Sequence, residues 1–124
     1  MEKTFFIIGS VFAGFCVAAG AFGAHGLKKL VPPEMLDTWD KAVRYQIYHA
    51  LGLLVVAWAI TYWPSQARSF VLGGGLFLGG IILFSGSLYL LVLSGTKWLG
   101  AITPFGGAAF VAGWLCMLLG SWRG

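Results

Sequence analysis

Apolar tracts separated by short polar or turn-forming stretches fill almost the whole chain, and each is close to the roughly 20 residues a helix needs to cross a bilayer core. Residues 4–24 form the first. Its small residues Ser10, Gly14, Ala18 and Ala21 share one side, while Phe5, Phe6, Phe12 and Phe15 supply bulk elsewhere. The stretch FGAHGLKKL ends it and puts His25 and two lysines at its exit. Pro32 and Pro33 then open a new helix, because proline at the first position lacks only an N–H that would be unpaired anyway, and Glu34 suits the positive helix end. Across residues 33–44, Met35, Leu36, Trp39 and Val43 make an apolar stripe that Ile47 continues. Asp37, Asp40, Lys41 and Arg44 make a charged face, with acid four residues ahead of base. The spacing predicts an amphipathic, interfacial helix.

Neither Pro nor Gly interrupts residues 34–51, so this segment can run on into a second apolar tract at residues 45–63. YWPSQAR permits only an antiparallel return. A third tract, residues 67–93, is longer than a crossing needs and so tilts or projects. SGTKWLG turns the chain again, and residues 101–120 make the fourth. The predicted fold is an all-α integral membrane protein: one domain over residues 1–124, a four-transmembrane-helix bundle with an amphipathic helical segment between helices one and two. Small residues mark the expected packing seams, since close backbone approach holds membrane helices together. These are Gly14 on the first helix, Gly75, Gly79 and Gly86 on the third, and Gly106, Gly113 and Gly120, every seventh residue, on the fourth. The two halves show no internal repeat.

Composition supports the membrane reading. Of 124 residues, 59% are hydrophobic and 10% charged, with a mean hydropathy of +0.87, too little polar surface for a soluble domain. The net charge of +4 does not point to nucleic acid, because the basic residues stand where membrane helices end and no basic patch with interleaved aromatics exists. Lys3, the apolar residues 5–17 and Ala19-Gly20-Ala21 imitate a signal peptide, but the length of the run and the membranous remainder favour an uncleaved first helix. Cys16 and Cys116 lie within predicted helices and read as small apolar side chains, unbridged. The odd connections carry Lys28, Lys29, Lys41, Arg44 and Lys97, against Lys3, Arg68 and Arg123 on the other side. That bias places the odd connections in the cytoplasm and both termini outside.

Folding the tracts back brings His25, Tyr45, Tyr48, His49, Ser85, Ser87, Tyr89 and Thr103 within about three turns of one interface. The preferred reading is structural: histidines that snorkel or bond to backbone, hydroxyls that bond within helices, tyrosines in an aromatic belt. The functional alternative is a polar chamber. In it His25 and His49 would exchange protons, Arg44 would attract an anion, and Tyr48, Ser87 and Thr103 would donate hydrogen bonds. Two histidines 24 positions apart lack metal-ligand spacing, so neither metal nor cofactor is expected. GSVFAG, GGGLFLGG and FSGSL are not nucleotide loops or nucleophile elbows, and no catalytic residue or enzyme activity is expected. No acidic residue falls inside a predicted membrane core, where it would be a transport signal.

The ordered segments AGAFGAHGLKKL, YQIYHALGLL, FSGSLYLLVLSG and LGAITPFGGAAFVAGW resemble a small uncharacterised membrane family. It includes bacterial inner-membrane proteins and eukaryotic relatives named transmembrane protein 256. The resemblance runs from about residue 9 to residue 120 and rests on Gly20, Ala21, Gly23, Ala24, His25 and Gly26, then Tyr48, His49, Ala50 and Leu51. Ser85, Gly86, Ser87 and Tyr89 follow, then Thr103, Pro104, Gly106, Gly107, Gly113 and Trp114. It implies four membrane helices and a bacterial inner-membrane location, with no activity, cofactor or substrate attached. The expected role is a small structural or accessory subunit whose partners are membrane lipids and either further copies or another membrane protein. The alternative is a lipid or small-solute transporter built on the chamber near His25 and His49.

Overall fold

Each apolar tract is helical in the computed structural model, which describes residues 1–124. Helix α1 spans Glu2–Ala24 and is followed by a 3-10 turn at Leu27–Lys29. Helix α2 spans Pro33–Tyr62 with proline in its first turn, and a second 3-10 turn, Pro64–Gln66, leads to the third crossing. That crossing is composite: α3 at Ala67–Gly80, a π-helical stretch at Ile81–Gly86 and α4 at Ser87–Ser94. Gly95, at φ 71°, ends it in the left-handed conformation that glycine adopts without a Cβ penalty. A 3-10 turn at Lys97–Ala101 precedes α5 at Thr103–Arg123. The four rods are long and apolar enough to cross a membrane.

The amphipathic segment and the second crossing are one helix of 30 residues. At a rise of ~1.5 Å per residue this is about 45 Å, against a hydrocarbon core of about 30 Å. Its first turns, with Glu34, Asp37 and Asp40, therefore stand outside the core. The amphipathic segment continues the axis of the second crossing without a break.

Packing makes α2 the centre, with eleven buried residues against four on α1 and five on α5. Helix α1 packs on α2 and α5 packs on the third crossing, while α1 and α5 make no substantial contact with each other. The bundle is thus an open array with two free edges. Its main core joins Phe5, Leu53, Val56, Phe70, Phe77 and Phe110. A smaller cluster of Ala19, Leu27, Trp39 and Val92 closes the end bearing the odd connections.

The third crossing and α5 interlock at seven-residue intervals. Phe70, Phe77 and Phe84 sit against Gly120, Gly113 and Gly106, and a Cβ built on Gly113 would lie 2.6 Å from the Phe77 ring. The fit is reciprocal, with Phe110 over Gly80 and Met117 beside Gly73. At Gly106 the approach is backbone to backbone, because a Cβ there would meet the main chain of Phe84, its Cα at 2.8 Å. Small-to-large fitting of this kind lets backbones approach where no water-exclusion force exists.

The seam expected on the third helix is corrected by this arrangement. Gly75 and Gly79 face open space, Gly86 meets only its own helix backbone at 3.8 Å, and Gly14 on α1 likewise has no neighbour. Gly75 and Gly79 lie opposite the face defined by Phe70, Gly73, Phe77 and Gly80, and the π-helical stretch resets the phase before Gly86. On α1 the close approach is at Gly9, whose Cβ would stand 2.8 Å from the Ala50 carbonyl oxygen.

Candidate functional site

Polar side chains buried inside an apolar bundle are its most informative residues, since each must find a partner or bear the cost of desolvation. Gln46, 2% exposed in the middle of α2, is the hub. Its Nε2 donates to the Phe12 carbonyl on α1 at 3.0 Å, and its Oε1 accepts from the Tyr89 hydroxyl on α4 at 2.7 Å. One amide therefore ties three rods. Seven residues earlier on α2, Trp39 Nε1 donates to the Ala19 carbonyl on α1 at 2.8 Å. Between the two, Cys16 Sγ approaches the Val43 carbonyl at 3.7 Å. Ser85, fully buried in the π-helical stretch, donates to the Ala42 carbonyl at 2.7 Å. The carbonyl oxygens of neighbouring helices can accept because each has a second lone pair.

His49 is the second node. Its Nδ1 lies 2.7 Å from the Tyr45 carbonyl one turn back, and its Nε2 lies 3.0 Å from Trp114 Nε1 on α5. A carbonyl only accepts and an indole N–H only donates, so the proton sits on Nδ1 and Nε2 accepts. Both nitrogens are engaged in the neutral ring. The imidazole also stacks on Phe110 at 3.5 Å between centroids and 6° between planes, and meets the Phe77 ring edge-on. Ser87 and Thr103 form a separate tie between α4 and α5, hydroxyl to hydroxyl at 2.7 Å. Every buried side-chain nitrogen and oxygen has a partner.

The six residues expected to share a polar chamber are consequently scattered. His25 is exposed where α1 ends and joins neither node. Arg44 is exposed and held by Asp40 one turn earlier. Arg44 and His49 are five positions apart, which on a helix of 3.6 residues per turn rotates them by about 140°; they cannot face one chamber. Tyr48 and His49 do line a common groove, but Ser87 and Thr103 are engaged with each other. Sequence reasoning missed Gln46, and it named Trp114 only as a marker of the family resemblance without its bond to His49. A lone glutamine in an apolar tract is itself a signal, because it demands an interhelical partner.

Two cavities matter. A lateral groove of about 560 Å³ between α2 and α5 is lined by Tyr45, Tyr48, His49, Phe84, Phe110 and Trp114 among others. A cleft of about 400 Å³ lies where the end of α1 meets the projecting start of α2, with Lys28, Asp37 and Asp40 on its wall. The end bearing Tyr62 carries an aromatic girdle, where Trp58 and Tyr62 stack at 4.9 Å and Trp63 packs against both.

A family of proteins of unknown function (DUF423) matches residues 19–107. The UPF0382 membrane protein SSP2132 of Staphylococcus saprophyticus is 44% identical over 121 residues, 98% of each chain. The UPF0382 membrane protein YwdK of Bacillus subtilis is 45% identical over 117 residues, 94% of each. No solved structure matches. With four rods able to span a membrane and near-full-length relatives named as membrane proteins, the chain belongs to the DUF423 family and is an integral membrane protein of the bacterial UPF0382 kind.

Proposed function

We propose that the chain is a small structural or accessory subunit of a membrane assembly, acting through lateral contacts and not through catalysis of its own. The observation that carries this reading is the division of labour between inside and edge. The buried hydrogen-bonding groups are consumed in tying the rods together, while α1 buries only four of its 23 residues and stands, like α5, at an open edge. A bundle with two free apolar edges suits insertion between other helices. Native mass spectrometry of the gently extracted chain tests it: a defined homo-oligomer or a stoichiometric membrane-protein partner is expected. A chain that stays monomeric in lipid nanodiscs, and whose deletion alters no membrane assembly, would end this reading.

The lateral groove favours a second reading, as a lipid or small-solute carrier. It opens sideways to lipid and is walled by aromatic rings around His49, in the volume range of small-molecule sites. Flux in reconstituted vesicles that is lost in His49→Ala would raise it above the first; unchanged flux would remove it.

A further inference from the structure

The cleft between α1 and α2 has features that an accessory role does not use. Its wall carries Lys28, from the 3-10 turn after α1, and Asp37 and Asp40, one helical turn apart near the start of α2. Asp40 is paired with Arg44 in an exposed ion pair that partly neutralises it. Lys28 and Asp37 are not: the chain's ion pairs are Met1 with Glu2 and Arg44 with Asp40. One free cation and one free anion thus line the same opening without meeting.

Gly20 leaves the cleft open, whereas Gly23 makes room for Trp39 in its wall. Gly20 and Gly23 both line it; a Cβ on Gly20 would find only Val43 at 3.8 Å, and one on Gly23 would lie 2.7 Å from Trp39 Cδ1. Trp39 forms part of the wall, and because its N–H is given to Ala19 it offers aromatic carbon and no donor. The position is that of lipid headgroups, beside the turns of α2 that project beyond the hydrocarbon core.

We propose that this cleft is a headgroup site for a zwitterionic phospholipid with a primary amine, the ethanolamine class, its phosphate on Lys28 and its ammonium on Asp37. Charge complementarity selects the class. An anionic glycerol headgroup would place its phosphate on Lys28 and offer Asp37 only neutral hydroxyl donors, which make weaker hydrogen bonds to a carboxylate than an ammonium does, so it fits less well. A trimethylated amine has no N–H to give the carboxylate, whereas a primary ammonium has three. Trp39, 6% exposed and packed by Phe22 and Tyr89, adds only an apolar wall. The occupant is a lipid and not its free headgroup, because the cleft opens at the membrane surface, where acyl chains have somewhere to go.

The full chain in detergent, given equal amounts of ethanolamine and glycerol phospholipids with matched acyl chains, tests this by native mass spectrometry. Wild type is expected to retain the ethanolamine lipid about threefold more, the scale of an exposed charge contact. Asp37→Asn should bring the ratio to about one, and Lys28→Gln should weaken both lipids. Both side chains are exposed, so helical content measured by circular dichroism should not change. Gly20→Leu supplies an independent check, filling the cleft with both charges intact, and should also abolish the preference. The proposal is overturned if wild type shows no preference, if the preference survives in Asp37→Asn or Gly20→Leu, or if soluble phosphoethanolamine displaces the lipid at equal concentration.

Discussion

Gln46 shows how much one side chain can decide in this bundle. Replacing it with leucine, an apolar side chain of comparable but somewhat larger size, removes both the bond to α1 and the bond to α4, leaving the Tyr89 hydroxyl without its partner. An orphaned buried polar group costs about 1 to 3 kcal/mol. Gln46→Leu is therefore expected to lower the thermal midpoint in detergent clearly, while Thr38→Ala, which loses an exposed bond within its own helix, should leave it in place. Equal midpoints for the two variants would mean that the hub is ornamental. Trp114→Phe is expected to fall between them, costing about 1 kcal/mol, because His49 Nε2 then faces the lateral groove without a donor. His49 stands out in the sequence but its role does not, because the partner is 65 positions away on a tryptophan indistinguishable, in sequence, from a lipid-facing one. His25 looks equivalent to His49 by residue type, and only the end of α1 separates an exposed histidine from a pinned one.

Among the elements, the interlock of the third crossing with α5 carries the sharpest expectation. Gly113→Ala puts a methyl where the Phe77 ring now sits, and overpacking of this kind costs about 1 to 3 kcal/mol. Gly79→Ala adds the same methyl in open space and should be neutral or stabilising by less than about 1 kcal/mol, as alanine is the better helix former. Parallel thermal melts of the two variants check this, and a destabilising Gly79→Ala would show that the outer face of α3 is packed against something in the membrane. The four rods were legible because apolar length alone signals a crossing, and the seven-residue glycine repeat of α5 was legible because nothing else breaks it. The matching face of the third crossing was not. GGGLFLGG offers glycines to every face, and the repeat that settles the matter, Phe70, Phe77 and Phe84, is written in large residues where small ones draw attention. The π-helical stretch is invisible to periodicity because it departs from the 3.6-residue period on which the search depends.

For the molecule as a whole, the open array changes what orientation in the membrane implies. The end bearing the odd connections holds five of the eight basic residues, and also Glu34, Asp37 and Asp40, three of the four acids. Lysine and arginine near membrane helix ends govern insertion, and acids contribute little, so this end is expected to face the cytoplasm with both termini outside. In the structure Arg44 is partly neutralised by Asp40, while Lys28, Lys29, Lys41 and Lys97 are exposed and unpaired, and of these only Lys28 and Lys29 stand side by side directly at the exit of α1. These two lysines should therefore dominate. A phosphatase fused to the C-terminus is expected to be active in intact cells, and a fluorescent protein that matures only in the cytoplasm to stay dark. Replacing both lysines with glutamine reduces the bias to an even three against three and should yield a mixed population in the same assay. A C-terminus that reports cytoplasmic in the wild type would invert the molecule, moving the mixed-charge cleft to the outer surface and the end bearing Arg68 and Arg123 to the cytoplasm.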